Sequence, residues 1–237
     1  MKLRDVWYGL RQWVPFTLRT IGYGSISCLL GPFTSDHRAS LWAMRRWCQA
    51  SAESLGIDID VSGLEEVPAE GAFLYACNHQ SLVDILVLGA VLPGDMKWAA
   101  KRSLMNIPFL GWHLRLAGHV PVDRGVGAGD QVIERFTATL KRGKPLLVFP
   151  EGTRSEDGSL QSFKDGAFRA ATAAGAPVVP VALDGTGQMM RKGARRLRRN
   201  DRITVTVRLG TPIPSAGLDV TDLREATHTA IGELLAG

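Results

Sequence analysis

The chain of 237 residues has only three cysteines, Cys28, Cys48 and Cys77, and none of them lies in a CxxC or other metal-binding spacing. An odd number of scattered cysteines argues against a disulfide framework and favours reduced thiols in a cytosol-facing protein. The chain also lacks internal repeats, long low-complexity segments and the small-residue cleavage pattern of a secretory signal. These absences leave one globular domain with an appendage as the simplest organisation.

No apolar run predicts a membrane-spanning helix, because the longest stretch without charge, 20–35, is shorter than the ~18–20 residues that a span needs. Residues 1–56 are instead predicted to form a helical hairpin, broken at Gly31-Pro32, that docks on a membrane. Aromatic residues mixed with arginines are typical of a helix in the lipid–water interface. An aromatic helix pair packed into the core, or a re-entrant hairpin, is the alternative. The aromatic residues are Trp7, Tyr8, Trp13, Phe16 and Tyr23.

A formal charge of +5 and a pI near 9.4 favour anionic partners. Candidates are phosphate-bearing substrates, acidic lipid, an acidic carrier protein and nucleic acid. No nucleic-acid-binding motif is present, so a nucleic-acid partner is not expected. The densest basic run predicts contact with anionic lipid or a carrier protein, or a solvated loop; it contains Arg191, Lys192, Arg195, Arg196, Arg198, Arg199 and Arg202.

Strand-like and helical patterns alternate over residues 57–237, which predicts an α/β domain with a mostly parallel sheet flanked by helices. Strands are predicted at 57–61, 73–77, 97–100, 119–122, 146–149, 178–183 and 203–209. Helices are predicted at 81–91, 108–117, 130–141, 166–174 and from about 222, the first with Ser81 and the last with Thr221 as N-cap.

The segment Asn-His-Gln-Ser-Leu-Val-Asp at 78–84 lies between a predicted strand and a predicted helix. Residues five apart do not share a face of one helix, but His79 in the turn can fold back onto Asp84 in the first helical turn. Such a pair makes a general base, since the carboxylate orients one ring nitrogen while the other takes a proton. An isolated HxxxxD pattern is loose, and a helix-capping turn with a surface Asp84 is the plain alternative.

Three further segments follow predicted strands, where ligands gather in α/β sheets. They are Lys101-Arg102, Val120-Pro-Val-Asp-Arg124 and Phe149-Pro-Glu-Gly-Thr-Arg-Ser155. Each segment has a structural alternative. Lys101-Arg102 could be a solvated basic pair, Asp123 could form a surface salt bridge, and the third segment could be a structural turn in which Glu151 pairs with Arg154.

Together with Val179-Pro180-Val181, these motifs closely resemble the glycerophospholipid acyltransferase family, in particular the bacterial 1-acylglycerol-3-phosphate acyltransferases. The likeness covers roughly residues 57–210; Val122 stands where the family commonly has a bulkier or aromatic residue. The resemblance implies a catalytic pair of His79 and Asp84. It also implies a set of acceptor-binding residues: Lys101, Arg124, Glu151, Gly152, Thr153 and Arg154.

The resemblance further implies transfer of a fatty acyl group from acyl-CoA or acyl carrier protein to the free 2-hydroxyl of lysophosphatidate, giving phosphatidate. The expected location is the cytoplasmic face of the cell membrane, peripheral or monotopic, and no metal or cofactor is expected. Another lysophospholipid, a lyso-aminolipid or glycerol 3-phosphate is the alternative acceptor. A covalent hydrolase is disfavoured, because there is no GxSxG elbow and Cys77 is more simply a buried strand residue.

Overall fold

The computed structural model describes residues 3–34, 37–123, 129–189 and 202–237, with side chains from Trp13 onward. The strands are β1 (Ile57–Ser62), β2 (Leu74–Cys77), β3 (Lys97–Lys101), β4 (Val120–Val122), β5 (Leu146–Val148), β6 (Val178–Asp184) and β7 (Ile203–Leu209). The helices are α1 (Leu3–Leu30), α2 (Arg38–Ser54), α3 (Asp84–Val91), α4 (Leu110–Leu116), α5 (Gly129–Lys141), α6 (Gly166–Ala174) and α7 (Val220–Ala236).

The seven strands form one sheet in the order β1-β7-β6-β2-β5-β3-β4. Every neighbouring pair is parallel except β6 with β7, which is antiparallel. The prediction of a mostly parallel α/β sheet is therefore confirmed. The carboxyl ends of β2, β5 and β3 lie side by side at one edge, and each of these strands leads directly into one of the motifs.

Both faces of the sheet are covered, as a parallel sheet requires. Successive side chains of β2 point to opposite faces, so Tyr75 and Cys77 join one apolar cluster while Leu74 and Ala76 join another. All four residues of β2 are fully buried. This double burial explains why the strand that precedes the NHxxxxD motif is continuously apolar in sequence.

At two helices both the predicted start and the predicted N-cap differ from the structure. Helix α3 begins at Asp84, and Ser81 gives it no side-chain cap. Helix α7 begins at Val220, with Asp219 as N-cap: its carboxylate accepts a hydrogen bond from Asp222 N at 2.8 Å. Thr221 lies inside this helix. At α7 the aspartate provides a charged acceptor, which binds a backbone N–H group more strongly than a hydroxyl does.

The N-terminal hairpin of α1 and α2 packs against the domain with one face. Met44, Cys48 and Ala52 of α2 belong to the same core cluster as the sheet, and Phe16 and Trp47 pack against it. The alternative prediction, an aromatic helix pair packed into the core, is thus correct for this face of the hairpin. The other face exposes large apolar side chains: Trp13, Val14, Leu18, Ile21, Leu29, Leu30, Phe33 and Trp42. Within the described ranges, no helix combines the length and apolar character needed to cross a membrane.

The segment between β3 and α4 contains a strained turn. Phe109 has a φ of 63° and a ψ of −52°, and Leu110 N donates to Pro108 O at 2.7 Å. This is a three-residue γ-turn. A residue other than glycine adopts this backbone conformation at a cost of about 1–3 kcal/mol. Such a conformation persists only where the surrounding structure holds it.

Candidate active site

The NHxxxxD motif folds back on itself at the end of β2. His79 Nδ1 lies 2.7 Å from Asp84 Oδ2, and both side chains are buried. The predicted contact between the two is confirmed, with Asp84 as the first residue of α3. With Nδ1 held by the carboxylate, Nε2 is left as the nitrogen that can take a proton from a substrate.

Asp84 Oδ2 also orders the turn itself. Besides His79, it accepts hydrogen bonds from Gln80 N at 2.8 Å and from Ser81 N at 2.9 Å. A carboxylate near the first turn of a helix is further stabilised by the helix dipole. One oxygen therefore fixes the backbone that carries His79 and the ring of His79 together, which keeps the imidazole in one orientation.

The FPEGTRS segment after β5 holds His79 from the other side. His79 N donates to Glu151 Oε1 at 3.1 Å, and Ser155 N donates to His79 O at 2.8 Å. The imidazole stacks on the Phe149 ring, with 4.0 Å between centroids and 15° between planes. The two motifs, 72 residues apart in sequence, thus form one site. The sequence could not assign these contacts, because they depend on β2 and β5 being neighbours.

Asn78 has a role that sequence reasoning missed. Its side-chain amide donates to Leu183 O and accepts from Leu183 N, both at 2.8 Å. This pair of bonds continues the ladder between β2 and β6 for one more residue beyond the strand. An asparagine directly after a buried strand was the available signal, since its amide can replace a backbone partner.

Glu151 is buried, and its Oε2 has no hydrogen-bond partner among the residues that the structure describes. Burial raises the pKa of Glu151 to about 7; the hydrogen bond from His79 N lowers this pKa, and the nearby Asp84 carboxylate raises it. An ionisable group titrating near neutral pH in a buried site is typical of functional positions. The free oxygen of Glu151 is available to a substrate hydroxyl.

Arg154 does not pair with Glu151 within the part of the chain that the structure describes, so the structural alternative for this turn is not observed. Arg154 is half-buried, and its Nη1 is shielded from solvent with no hydrogen-bond partner in the described ranges. Gly152 has a φ of +74°, and a Cβ there would meet the Lys164 side chain at 2.9 Å. The positive φ of Gly152 is a conformation that favours glycine at this position of the turn. Thr153 is half-buried in the same turn.

Lys101 is the last residue of β3 and is exposed. Since β3 is two strands from β2, it lies about 10 Å from the end of β2, given a spacing of about 4.8 Å per strand. Arg124 lies outside the described residues. Asp123 pairs with Arg102, whose Nε contacts the two carboxylate oxygens at 2.6 and 2.8 Å, so the surface salt bridge foreseen for Asp123 is formed.

Two remaining predictions concern Cys77 and the basic run. Burial raises the pKa of the Cys77 thiol, and the Asp84 and Glu151 carboxylates raise it further. A buried thiol without a stabilising cation is a poor nucleophile, which counts against a covalent hydrolase. Of the basic run, only Arg202 is described; its guanidinium pairs with Asp58.

The comparisons with known proteins agree with this geometry. The family model described as Acyltransferase matches residues 58–184, which include the His79–Asp84 pair and the FPEGTRS segment. The chain belongs to the acyltransferase family. This family includes the chloroplastic 1-acyl-sn-glycerol-3-phosphate acyltransferase of Arabidopsis thaliana, 38% identical over 165 residues that cover 68% of this chain and 45% of that protein.

Two other family members match over more of their length. The lyso-ornithine lipid O-acyltransferase of Pseudomonas aeruginosa is 33% identical over 213 residues, covering 84% of this chain and 79% of that protein. The crystal structure of the 1-acyl-sn-glycerophosphate acyltransferase PlsC from Thermotoga maritima superposes with a TM-score of 0.84 at 25% identity, covering 99% of this chain and 97% of that one. The chain spans about half the length of several other curated relatives that it matches.

Proposed function

We propose that this acyltransferase is a 1-acyl-sn-glycerol-3-phosphate O-acyltransferase, which transfers a fatty acyl group to the 2-hydroxyl of lysophosphatidate and forms phosphatidate. The observation that carries the proposal is the 2.7 Å contact between His79 Nδ1 and Asp84 Oδ2 at the carboxyl edge of the sheet. Family membership supplies the acyl-transfer chemistry. The names of the relatives support the acceptor class.

In the proposed reaction, His79 Nε2 takes the proton of the acceptor's free hydroxyl as that oxygen attacks the thioester carbonyl. Asp84 holds the opposite N–H and stabilises the imidazolium that forms. The C–O ester bond forms and the C–S bond breaks. The leaving thiolate takes the proton back from His79, so that phosphatidate and the free thiol of the carrier are released. Backbone N–H groups near the turn are the proposed oxyanion donors.

The acceptor's phosphate is proposed to meet Arg154, Lys101 and Arg124. The Nη1 atom of Arg154, which has no partner among the described residues, is suited to an oxyanion because it can form a charge-assisted hydrogen bond. Glu151 Oε2 is proposed to hold a glycerol oxygen. Gly152 and Thr153 shape the turn that brings these groups beside His79. Neither a metal nor a cofactor enters the proposed reaction, since its bonds and protons balance without one.

The first test is a free-thiol release assay with palmitoyl-CoA and oleoyl-lysophosphatidate in anionic lipid, comparing wild type with His79→Ala. The proposal expects acceptor-dependent thiol release that falls by at least about 10²-fold in the variant. Release without acceptor would instead identify a thioesterase. A parallel reaction with palmitoyl acyl carrier protein decides between the two donor classes.

A second candidate acceptor is lyso-ornithine lipid. It is favoured by the Pseudomonas aeruginosa relative, which aligns over 84% of this chain and 79% of its own length. The chemistry at His79 is the same, because that acceptor also presents a hydroxyl for acylation. Assaying the two lipids side by side at equal mole fraction decides between them: the one with the higher kcat/KM is the preferred acceptor.

The protein is proposed to act on the surface of the cytoplasmic membrane leaflet. The outer face of the hairpin carries apolar side chains such as Leu18, exposed by 63%, and Phe33, exposed by 87%. Exposed apolar patches of this kind mark interaction sites, and aromatic and cationic residues together are typical of membrane interfaces. The three free thiols suit a reducing compartment.

A further inference from the structure

One contact between the hairpin and the catalytic domain lies where α1 meets the start of α4. A Cβ added to Gly24 of α1 would lie 2.8 Å from the Cβ and 3.1 Å from the backbone oxygen of Phe109. Only a glycine therefore lets α1 approach the backbone of the γ-turn this closely. Gly22 lies two residues earlier on the same helix, and a Cβ there would meet no atom of the described residues within 4 Å.

One helical turn further along, a buried chain of hydrogen bonds joins the same elements. Ser27 Oγ lies 2.7 Å from His113 Nδ1 of α4 and 2.9 Å from Ser40 Oγ of α2. All three side chains are buried. Gly24 of α1 thus contacts Phe109, and Ser27 contacts His113. Each pair of residues on the same element is about one helical turn apart. We call these four residues the hairpin seam.

The strained turn at Phe109 lies at the centre of this seam. A bulky residue with positive φ is held there because α1 packs directly against it. Immediately beyond it, Gly111 packs on the backbone of Met105: a Cβ on Gly111 would lie 2.0 Å from Met105 O. Because Gly111 contacts this backbone, the conformation of residues 107–111 affects the position of the short helical turn Arg102–Asn106.

That short turn begins directly after Lys101. Met105 is buried with Ala100 and Leu114 in a small cluster of its own, so its position fixes the end of β3. On the other side, Arg102 is held by Asp123. The Lys101 side chain is exposed and carries the positive charge at this end of the strand. Its place relative to His79 depends on the packing of Met105, and through Met105 on the hairpin seam.

We propose that the hairpin is a structural part of the acceptor site: Gly24 and Ser27 are positioning residues that hold the Phe109 turn and thereby the phosphate-facing end of β3. This inference rests on the proposed function, and it assigns the hairpin a role in addition to membrane docking. Loosening the seam weakens binding of the anionic acceptor without the same effect on the thioester, because only the acceptor is proposed to contact Lys101.

The test compares full-length Gly24→Ala with Gly22→Ala. Both variants add the same methyl group to the same helix, but only the first collides with Phe109. Hydrogen exchange is measured over residues 101–111, and the Michaelis constants are measured for oleoyl-lysophosphatidate and palmitoyl-CoA in mixed detergent micelles, where vesicle docking plays no part. We expect exchange about tenfold faster, and an acceptor KM raised about tenfold, in Gly24→Ala alone. The KM for palmitoyl-CoA is expected to stay near the control value.

Equal exchange over 101–111 in the two variants would overturn the proposal, whatever the activity. Faster exchange with both KM values raised equally, or neither raised, would overturn the assignment to the acceptor site. If Gly24→Ala does not fold, Ser27→Ala is compared with Ser25→Ala by the same two measurements, since removing one hydroxyl adds no steric conflict. If wild type does not acylate lysophosphatidate, the proposed function fails; the exchange comparison still decides whether the seam holds this segment, and the KM comparison is made with lyso-ornithine lipid.

Discussion

Asp84 Oδ2 lies 2.7 Å from His79 Nδ1 although the two residues are five apart, because β2 ends at Cys77 and α3 begins only at Asp84. The six residues between strand and helix turn the chain back on the carboxylate. This relationship makes Asp84 both the orienting partner of the base and the acceptor that shapes the turn.

Replacing Asp84 with Asn should lower kcat by about 10²–10⁴-fold, the usual contribution of an oriented general base. The amide keeps the shape of the carboxylate but loses the charge that stabilises the imidazolium. Steady-state kinetics with saturating acceptor and thioester measure the effect. Asp60→Asn, at an exposed position of β1, is the matched control. A kcat for Asp84→Asn equal to that of the control would show that Asp84 has no part in the chemistry.

Replacing Arg154 with Ala should raise the KM for lysophosphatidate about tenfold to hundredfold, since a charged hydrogen bond contributes about 1.5–3 kcal/mol. The KM for acyl-CoA should change much less. The melting temperature should not fall, because Nη1 of Arg154 has no hydrogen bond to lose within the part of the chain that the structure describes. Arg202→Ala, which breaks an exposed pair with Asp58, is the control. Equal increases in both KM values would remove the phosphate role from Arg154.

Because its pKa is raised in the folded protein, Glu151 should make the free energy of unfolding decrease as the pH rises. Its pKa is about 7 in the folded protein and near 4.5 in the unfolded chain, so between these pH values the folded state retains a proton that the unfolded state has lost. The free energy of unfolding therefore decreases from pH 4.5 to 7 by an amount on the order of 1–3 kcal/mol, given about 1.4 kcal/mol per pKa unit.

Replacing Glu151 with Gln should remove this slope, because the amide still accepts the hydrogen bond from His79 N and does not ionise. Urea unfolding at pH 5 and pH 8 measures the difference. We expect Glu151→Gln to gain stability relative to wild type at pH 8 and to match it at pH 5. A stability difference between the two proteins that is the same at both pH values would contradict the raised pKa.

Charged substitutions on the outer face of α1 should weaken membrane binding. Leu18→Glu places a carboxylate where a side chain is exposed by 63%, and burying such a charge in lipid is unfavourable. Co-sedimentation with phosphatidylglycerol vesicles should show binding reduced about tenfold or more. Thr221→Glu, exposed on α7, adds the same charge away from the hairpin. An equal loss of vesicle binding in both variants would indicate a general effect of the added charge. It would count against the outer face of α1 as the membrane-binding surface.

Much of this protein follows from local sequence. The strand at 203–209 and the helix at 166–174 occur where their periodicity predicts, because each buries a face whose pattern matches its repeat. The meeting of His79 and Asp84 is also local, since a strand, a turn and a helix within eleven residues suffice to form it. The helix starts were less well predicted: several polar residues compete to cap a helix, and the structure has Asp219 as the cap of α7 and no side-chain cap on α3.

Tertiary structure decided the contacts between distant motifs, because these contacts depend on which strands are neighbours in the sheet. The order of the sheet brings Glu151 to the backbone of His79, and Glu151 does not pair with Arg154 among the described residues, although sequence proximity alone allowed Glu151 and Arg154 to pair. Likewise Asp123 meets Arg102 because β3 and β4 are adjacent. The pattern of apolar residues fixes which face of each element is buried, but contacts between distant motifs are fixed only when the sheet assembles.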